Sequence, residues 1–178
     1  MKKYRFIDGS DVVVNDGVCR GCFLENEKDL PKAILPIWQN DFYVIRQDAE
    51  IPMPGFYIVS TRPHIHTIAD LTFDQSAELG VILHILRKTM LEILKIERIH
   101  MILEERLIEP HLHIWMMPLW PDVMKRENID PKIWNSNILQ YMSLFSYEEN
   151  KTSIMHFNEK MKAALYNDEV LKKISRNA

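Results

Sequence analysis

Excess basic charge, cysteine and long apolar runs are all scarce in this sequence. Lysine and arginine number 22 against 25 aspartate and glutamate, for a formal charge of -3 and a pI near 6.2. That balance excludes the broad positive field with which a protein grips long nucleic acid through many phosphates. A small phosphate-bearing ligand is still allowed. No run is long and uncharged enough to span a bilayer, and residues 1–8 meet acid before any apolar core of secretory length. A cytoplasmic protein with no membrane partner is therefore expected. Internal repeats and low-complexity segments are also missing, which argues against a solenoid. What is present is 47% hydrophobic residues in 178, enough for one domain with a sizeable core.

The two cysteines, Cys19 and Cys22, are too few for a disulfide framework and are spaced C-x-x-C. Three readings stay open: structural zinc, two unpaired structural thiols, or redox exchange. Gly21 is expected to let the backbone turn between two sulfurs aimed at one point, as in a zinc knuckle. Pro31 and Pro36 leave room for only a short irregular segment after the motif, which disfavours the helix a redox pair usually opens. Ahead of it, residues 4–18 read as a hairpin, with Val12, Val13 and Val14 as strand and Asn15-Asp16-Gly17 as turn.

Residues 42–46 and 56–60 are rich in aromatic and β-branched side chains and are expected to pair across a loop containing Pro52, Pro54 and Gly55. A long helix over residues 72–96 starts at a Thr72/Gln75 capping box and carries Leu79, Ile82, Leu83, Leu86, Met90, Ile93 and Leu94 on one side. His84 within it belongs to the surface or boundary. Residues 99–103 and 111–118 form two further strands around the charged turn Glu104-Glu105-Arg106. Beyond Pro118, residues 131–145 and 150–166 read as helices, the first with Ile133, Trp134, Ile138 and Tyr141 as its apolar set. His100 and His156 read as ordinary hydrogen-bonded or solvated histidines.

The chemistry concentrates in His111-Leu112-His113-Ile114-Trp115-Met116-Met117-Pro118. Period-two alternation puts His111, His113 and Trp115 on one face and Leu112, Ile114 and Met116 on the other, so that one face packs and the other does chemistry. Two imidazoles roughly 7 Å apart can bind a metal or attack a phosphate. Alone, H-x-H reads most simply as a partly exposed strand that carries two histidines.

The order of features is C-x-x-C, strand, Asp48 before a proline-rich loop, strand, His64, capped helix, hairpin and H-x-H. That order resembles the histidine triad superfamily, whose signature is H-φ-H-φ-H-φ-φ with φ apolar. Residues 111–117 match that signature except at the third histidine, where Trp115 stands. The resemblance covers roughly residues 19–118. It implies an α+β fold with a mostly antiparallel five-stranded sheet, a long packing helix and a helical C-terminal extension. In domain terms, residues 1–120 would form the nucleotide-binding domain and 121–178 an extension that is not an independent domain.

The zinc-bearing members and the related galactose-1-phosphate uridylyltransferases are similar in a further respect. By that resemblance Cys19, Cys22, His64 and His111 would hold a structural zinc, with His66 as the spare ligand. Asp48 looks like the loop carboxylate that holds ribose hydroxyls, and Pro118 like the proline that closes the motif. His113 would be the nucleophile that attacks an α-phosphorus and carries a covalent nucleotidyl group. Trp115 cannot accept or shuttle a proton, which favours a leaving group that departs unprotonated. The glutamates at the 104–110 turn resemble the diadenosine tetraphosphate hydrolase-like branch. Arg106 is either the tip of a charged hairpin or a phosphate contact. The implied function is a hydrolase or transferase for a nucleoside phosphate anhydride such as a dinucleoside polyphosphate, expected as a homodimer. The alternative is a catalytically weak or inactive nucleotide-binding protein of the same fold, with Trp115 stacking on a base or shielding the phosphate site.

Overall fold

The computed structural model describes residues 1–129 and 134–175, with the backbone alone at 134–136. The chain opens on an antiparallel hairpin, β1 (Lys2–Arg5) and β2 (Asp11–Val14). Its turn lies earlier than Asn15-Asp16-Gly17. Asp8 accepts from the Ser10 amide at 3.0 Å and the Ser10 hydroxyl at 2.6 Å, and Gly9 takes a φ of +83°. Asp8 thus supplies a side-chain bond to close the loop, with a glycine beside it for the left-handed position. Gly17, at φ +87°, instead redirects the chain into α1 (Arg20–Asn26). The C-x-x-C motif does open a helix, contrary to the expectation from the downstream prolines, because seven residues fit before Pro31.

The main sheet follows, with β3 (Pro36–Gln39), β4 (Tyr43–Gln47), β5 (Tyr57–Thr61), β6 (Ile99–Leu103) and β7 (His113–Pro118). Its order is β3-β4-β5-β7-β6, and every neighbouring pair is antiparallel. β3 adds to the strands expected from sequence, since Pro36 at its start masks a short edge strand. Between β5 and β6 runs α2 (Phe73–Leu94), with both bonds of the Thr72/Gln75 capping box made. The box contributes about 1 kcal/mol. Ile82, Leu86 and Met90 are fully buried against the sheet, each contributing roughly 1.5–3 kcal/mol, so packing rather than capping holds α2 in place. His84 is on its outer side, exposed.

The C-terminal segment contains α3 (Pro121–Arg126), α4 (Trp134–Ser143), α5 (Tyr147–Asn167) and α6 (Glu169–Ile174). Of the apolar set assigned to residues 131–145, Ile133 and the Trp134 side chain lie outside the described residues, as does Pro131. The segment covers both faces of β7. Ile114 and Met116 join α2 in a core completed by Met161, Leu165 and Leu171. Met117 packs with Phe56, Met124, Tyr141 and Met142 in a second core, against which Trp115 also rests. Tyr141 ties that core down: its hydroxyl donates to the Pro118 carbonyl at 3.0 Å and accepts from the Trp120 amide at 2.8 Å. The second face of β7 is therefore divided, with helices over its Met117 end and only the His113 end open to chemistry.

Candidate functional site

Cys19 caps α1: its Sγ accepts from the Cys22 amide at 3.3 Å, which turns both sulfurs toward the same side. Two imidazoles arrive from elsewhere in the chain. Cys19 Sγ lies 3.3 Å from Nδ1 of both His64 and His111; Cys22 Sγ lies 3.2 Å from His64 Nδ1 and 3.8 Å from His111 Nδ1. All four donor atoms fall within 4.8 Å of one another. A tetrahedral zinc with ordinary Zn–S and Zn–N bonds separates sulfur from nitrogen by about 3.5 Å, which is the spacing found. Cys2His2 is a donor set suited to zinc, and these residues fit it.

The surroundings favour the ligand forms. His111 donates from Nε2 to the Thr61 carbonyl at 2.7 Å, which leaves the Nδ1 lone pair facing the sulfurs. Burial also pushes the His111 pKa down, toward the neutral ring. Burial, with the Cys19 sulfur beside it, pushes the Cys22 thiol up to about 11, so a cation is what would let the Cys22 sulfur ionise. His66 is not in the cluster; its ring stands edge-on to His64, centroids 4.7 Å apart.

Gly21 is required for a different reason from the one its sequence suggested. It sits within α1 without a positive φ, and a Cβ there would overlap the His111 ring. Gly21→Ala is expected to destabilise the fold by about 1–3 kcal/mol through this overlap. That exceeds the helix-propensity gain of at most about 1 kcal/mol. Thermal unfolding of the variant should show a lowered midpoint; a raised one would mean that the ring is not fixed there.

Beside the four donors opens a cavity of about 190 Å³. Arg46, Asp48, Ile58, Ser60, His113 and Trp115 line it from the sheet side. Register explains the grouping: Ser60 is paired with His113, Ile58 with Trp115 and Arg46 with Ile58, all on alternate positions of neighbouring strands. His111 itself precedes β7, which starts at His113 rather than at residue 111. His113 donates from Nδ1 to the His111 carbonyl at 2.7 Å. In the neutral ring Nε2 is then the unprotonated nitrogen, 3.7 Å from the Glu104 carboxylate.

Asp48 lines the same cavity, and its carboxylate accepts from the amides of Glu50 (2.9 Å) and Ile51 (2.7 Å). Burial pushes its pKa up, against the opposing pull of those two amides. Trp115 is half-buried, its ring edge-on to Phe56 at 5.5 Å between centroids. Arg106 pairs with Glu104 at 2.7 Å and also lines the cavity. Sequence reasoning missed a charge network beneath the wall: Glu25 pairs with the buried Arg46 and, at 2.9 Å, with Arg62. The available signal was an arginine on the same alternate positions as Val44, directly continuing the apolar run Tyr43-Val44-Ile45.

No family model matches the sequence, and no curated protein matches it. Solved structures do match. A hypothetical histidine triad nucleotide-binding protein from Sulfolobus tokodaii superposes with a TM-score of 0.58 at 15% identity, over 84% of this chain and 93% of that one. A Hit-like protein involved in cell-cycle regulation from Bartonella henselae gives 0.56 at 13% identity, over 85% and 100%. A Zn-bound histidine triad family protein from Mycobacterium smegmatis gives 0.55 at 14% identity, over 90% and 97%. At such identities the likeness is one of fold, and the fold is that of histidine triad proteins: five antiparallel strands, one long helix and, here, added C-terminal helices. Among the described residues no helix is long and apolar enough to cross a membrane.

Proposed function

We propose that this protein binds a nucleoside phosphate in the cavity beside the Cys2His2 cluster and cleaves its phosphoric anhydride through His113. The observation that carries the reading is the tie between the two sites. The His111 ring faces the sulfurs while its carbonyl holds His113 Nδ1, leaving Nε2 for the cavity. Cys19, Cys22, His64 and His111 would hold zinc, whose contribution is structural: a closed four-ligand site pinning α1 and the start of β7 together.

In the first step His113 Nε2 forms a bond to the α-phosphorus and the P–O bond to the leaving phosphate chain breaks. Water then attacks the same phosphorus, the P–N bond breaks and its electron pair returns to His113. The water proton ends on the products. Asp48 would orient the ribose through its hydroxyls. A dinucleoside polyphosphate suits the site because its leaving chain departs with little need of protonation. The cavity is also smaller than the roughly 300–1,000 Å³ that encloses a whole drug-sized ligand, so most of a dinucleoside polyphosphate would lie outside it. The homodimer implied by the resemblance would use the outer side of α2, where Val81, Lys88 and Leu91 are exposed.

A second reading is a nucleotide-binding protein with negligible turnover, and Trp115 is the observation that favours it. Its indole occupies the position from which a histidine could pass a proton. Trp115→His separates the two. Turnover of dinucleoside polyphosphate is expected to rise by up to about a hundredfold, while stability falls because the aromatic edge contact with Phe56 is lost. No rise in a folded variant would support binding without catalysis.

A further inference from the structure

Arg20 is the one charged residue of the C-x-x-C segment, and nothing above uses it. It lines the cavity wall beside Gly21, with its guanidinium carbon 5.2 Å from the centroid of the Tyr4 ring. One of its terminal nitrogens, Nη1, pairs with Glu50. The other, Nη2, is fully buried and has no hydrogen-bond partner among the described residues. A buried guanidinium N–H without an acceptor is costly, and an anionic oxygen is the acceptor that recovers most. Its planar fork also matches the geometry of a phosphate group.

Resting on the nucleotide reading, we propose that Arg20 receives a second phosphoryl group of the ligand, beyond the one that faces His113. Glu50 competes for the same guanidinium, so Arg20 would be released only to a stronger anion than a solvent-exposed carboxylate. A phosphate qualifies where a ribose hydroxyl does not. Because Arg20 is one residue from Cys19, its position is set by the same segment that supplies two of the four donors to the cluster. The second phosphoryl group has two sources to choose between: the next member of a 5′ phosphate chain, or a phosphate on the ribose, whose hydroxyls Asp48 would hold two residues from Glu50.

Calorimetric titration of the full-length protein with AMP, ADP and adenosine 3′,5′-bisphosphate tests this. The wild-type protein is expected to prefer ADP or the bisphosphate over AMP by about tenfold or more, and which of the two is preferred identifies the source. Arg20→Met should reduce that preference to within about twofold. Glu50→Gln should increase it by freeing Nη1, and the increase should vanish in the Arg20→Met, Glu50→Gln double variant. A purely structural Arg20 would not produce that gain. An unchanged preference in Arg20→Met overturns the assignment. So does AMP binding without any preference in the wild type, or no gain in Glu50→Gln if Arg20→Met folds poorly. Failure of all three nucleotides to bind the wild type would instead remove the nucleotide reading itself.

Discussion

Replacing His113 by asparagine is expected to lower turnover of a dinucleoside polyphosphate by about ten-thousandfold or more, the scale seen when a covalent nucleophile is removed. Asparagine is the informative substitution because its amide can still donate to the His111 carbonyl, where His113 Nδ1 now donates at 2.7 Å. The loop into β7 would thus be kept and only the reactive nitrogen lost. Nucleotide affinity should change by less than about tenfold. If the His113→Asn variant retains activity, the attacking group is water and His113 only positions the phosphate. If it loses binding and activity together, His113 serves as an anchor. Alanine would remove the hydrogen bond as well and would not separate these cases.

The second large effect is on stability. Cys19→Ser should purify without zinc and unfold about 5–16 °C lower than the wild-type protein. That range follows from a metal present at a hundred to a thousand times its dissociation constant. Such binding stabilises by about 2.7–4.1 kcal/mol, and each kcal/mol shifts the midpoint of a chain this size by roughly 2–4 °C. Cys19 is the donor to choose because it also caps α1, receiving the Cys22 amide at 3.3 Å, and serine is itself a strong N-cap, so the loss falls on the cluster rather than on the helix. Turnover should fall as well, since the His111 backbone that aims His113 is held by the ring facing the sulfurs. A serine variant that keeps its melting midpoint and metal content would break the link between cluster and fold.

Aromatic and β-branched content made β4 and β5 legible, an apolar run beside a charged turn made β6 so, and period-two alternation marked β7, while the Thr72/Gln75 box marked the start of α2. The cysteine pair was legible from its C-x-x-C spacing, but His64 and His111 joined it only through likeness to a family, because they lie far along the chain and no local rule ties them to residues 19 and 22. Gly21 shows the limit of local reasoning. Its chemistry suggested a turn, whereas its role is to leave space for the ring of His111, far along the chain. The N-terminal turn falls elsewhere than expected because Asn15-Asp16-Gly17 and Asp8-Gly9-Ser10 are both plausible turns, and the side-chain bond from Asp8 decides between them. Of the C-terminal helices α4 and α5 could be drawn from periodicity, but not the short α3 and α6, nor the helices' division between the two faces of β7. That division follows from which β7 side chains meet each core: Ile114 and Met116 lie in one, Trp115 and Met117 in the other.

Everything functional turns on whether the free nitrogen of His113 meets phosphorus. The direct measurement is mass spectrometry of the intact protein, quenched in alkali during turnover of a dinucleoside polyphosphate so that a phosphorus–nitrogen bond survives. Wild-type protein should gain the mass of one nucleotidyl group, located on His113 by peptide mapping and missing from the His113→Asn variant. Rapid nucleotide release with no adduct at any time point, or an adduct on another residue, would contradict the assignment.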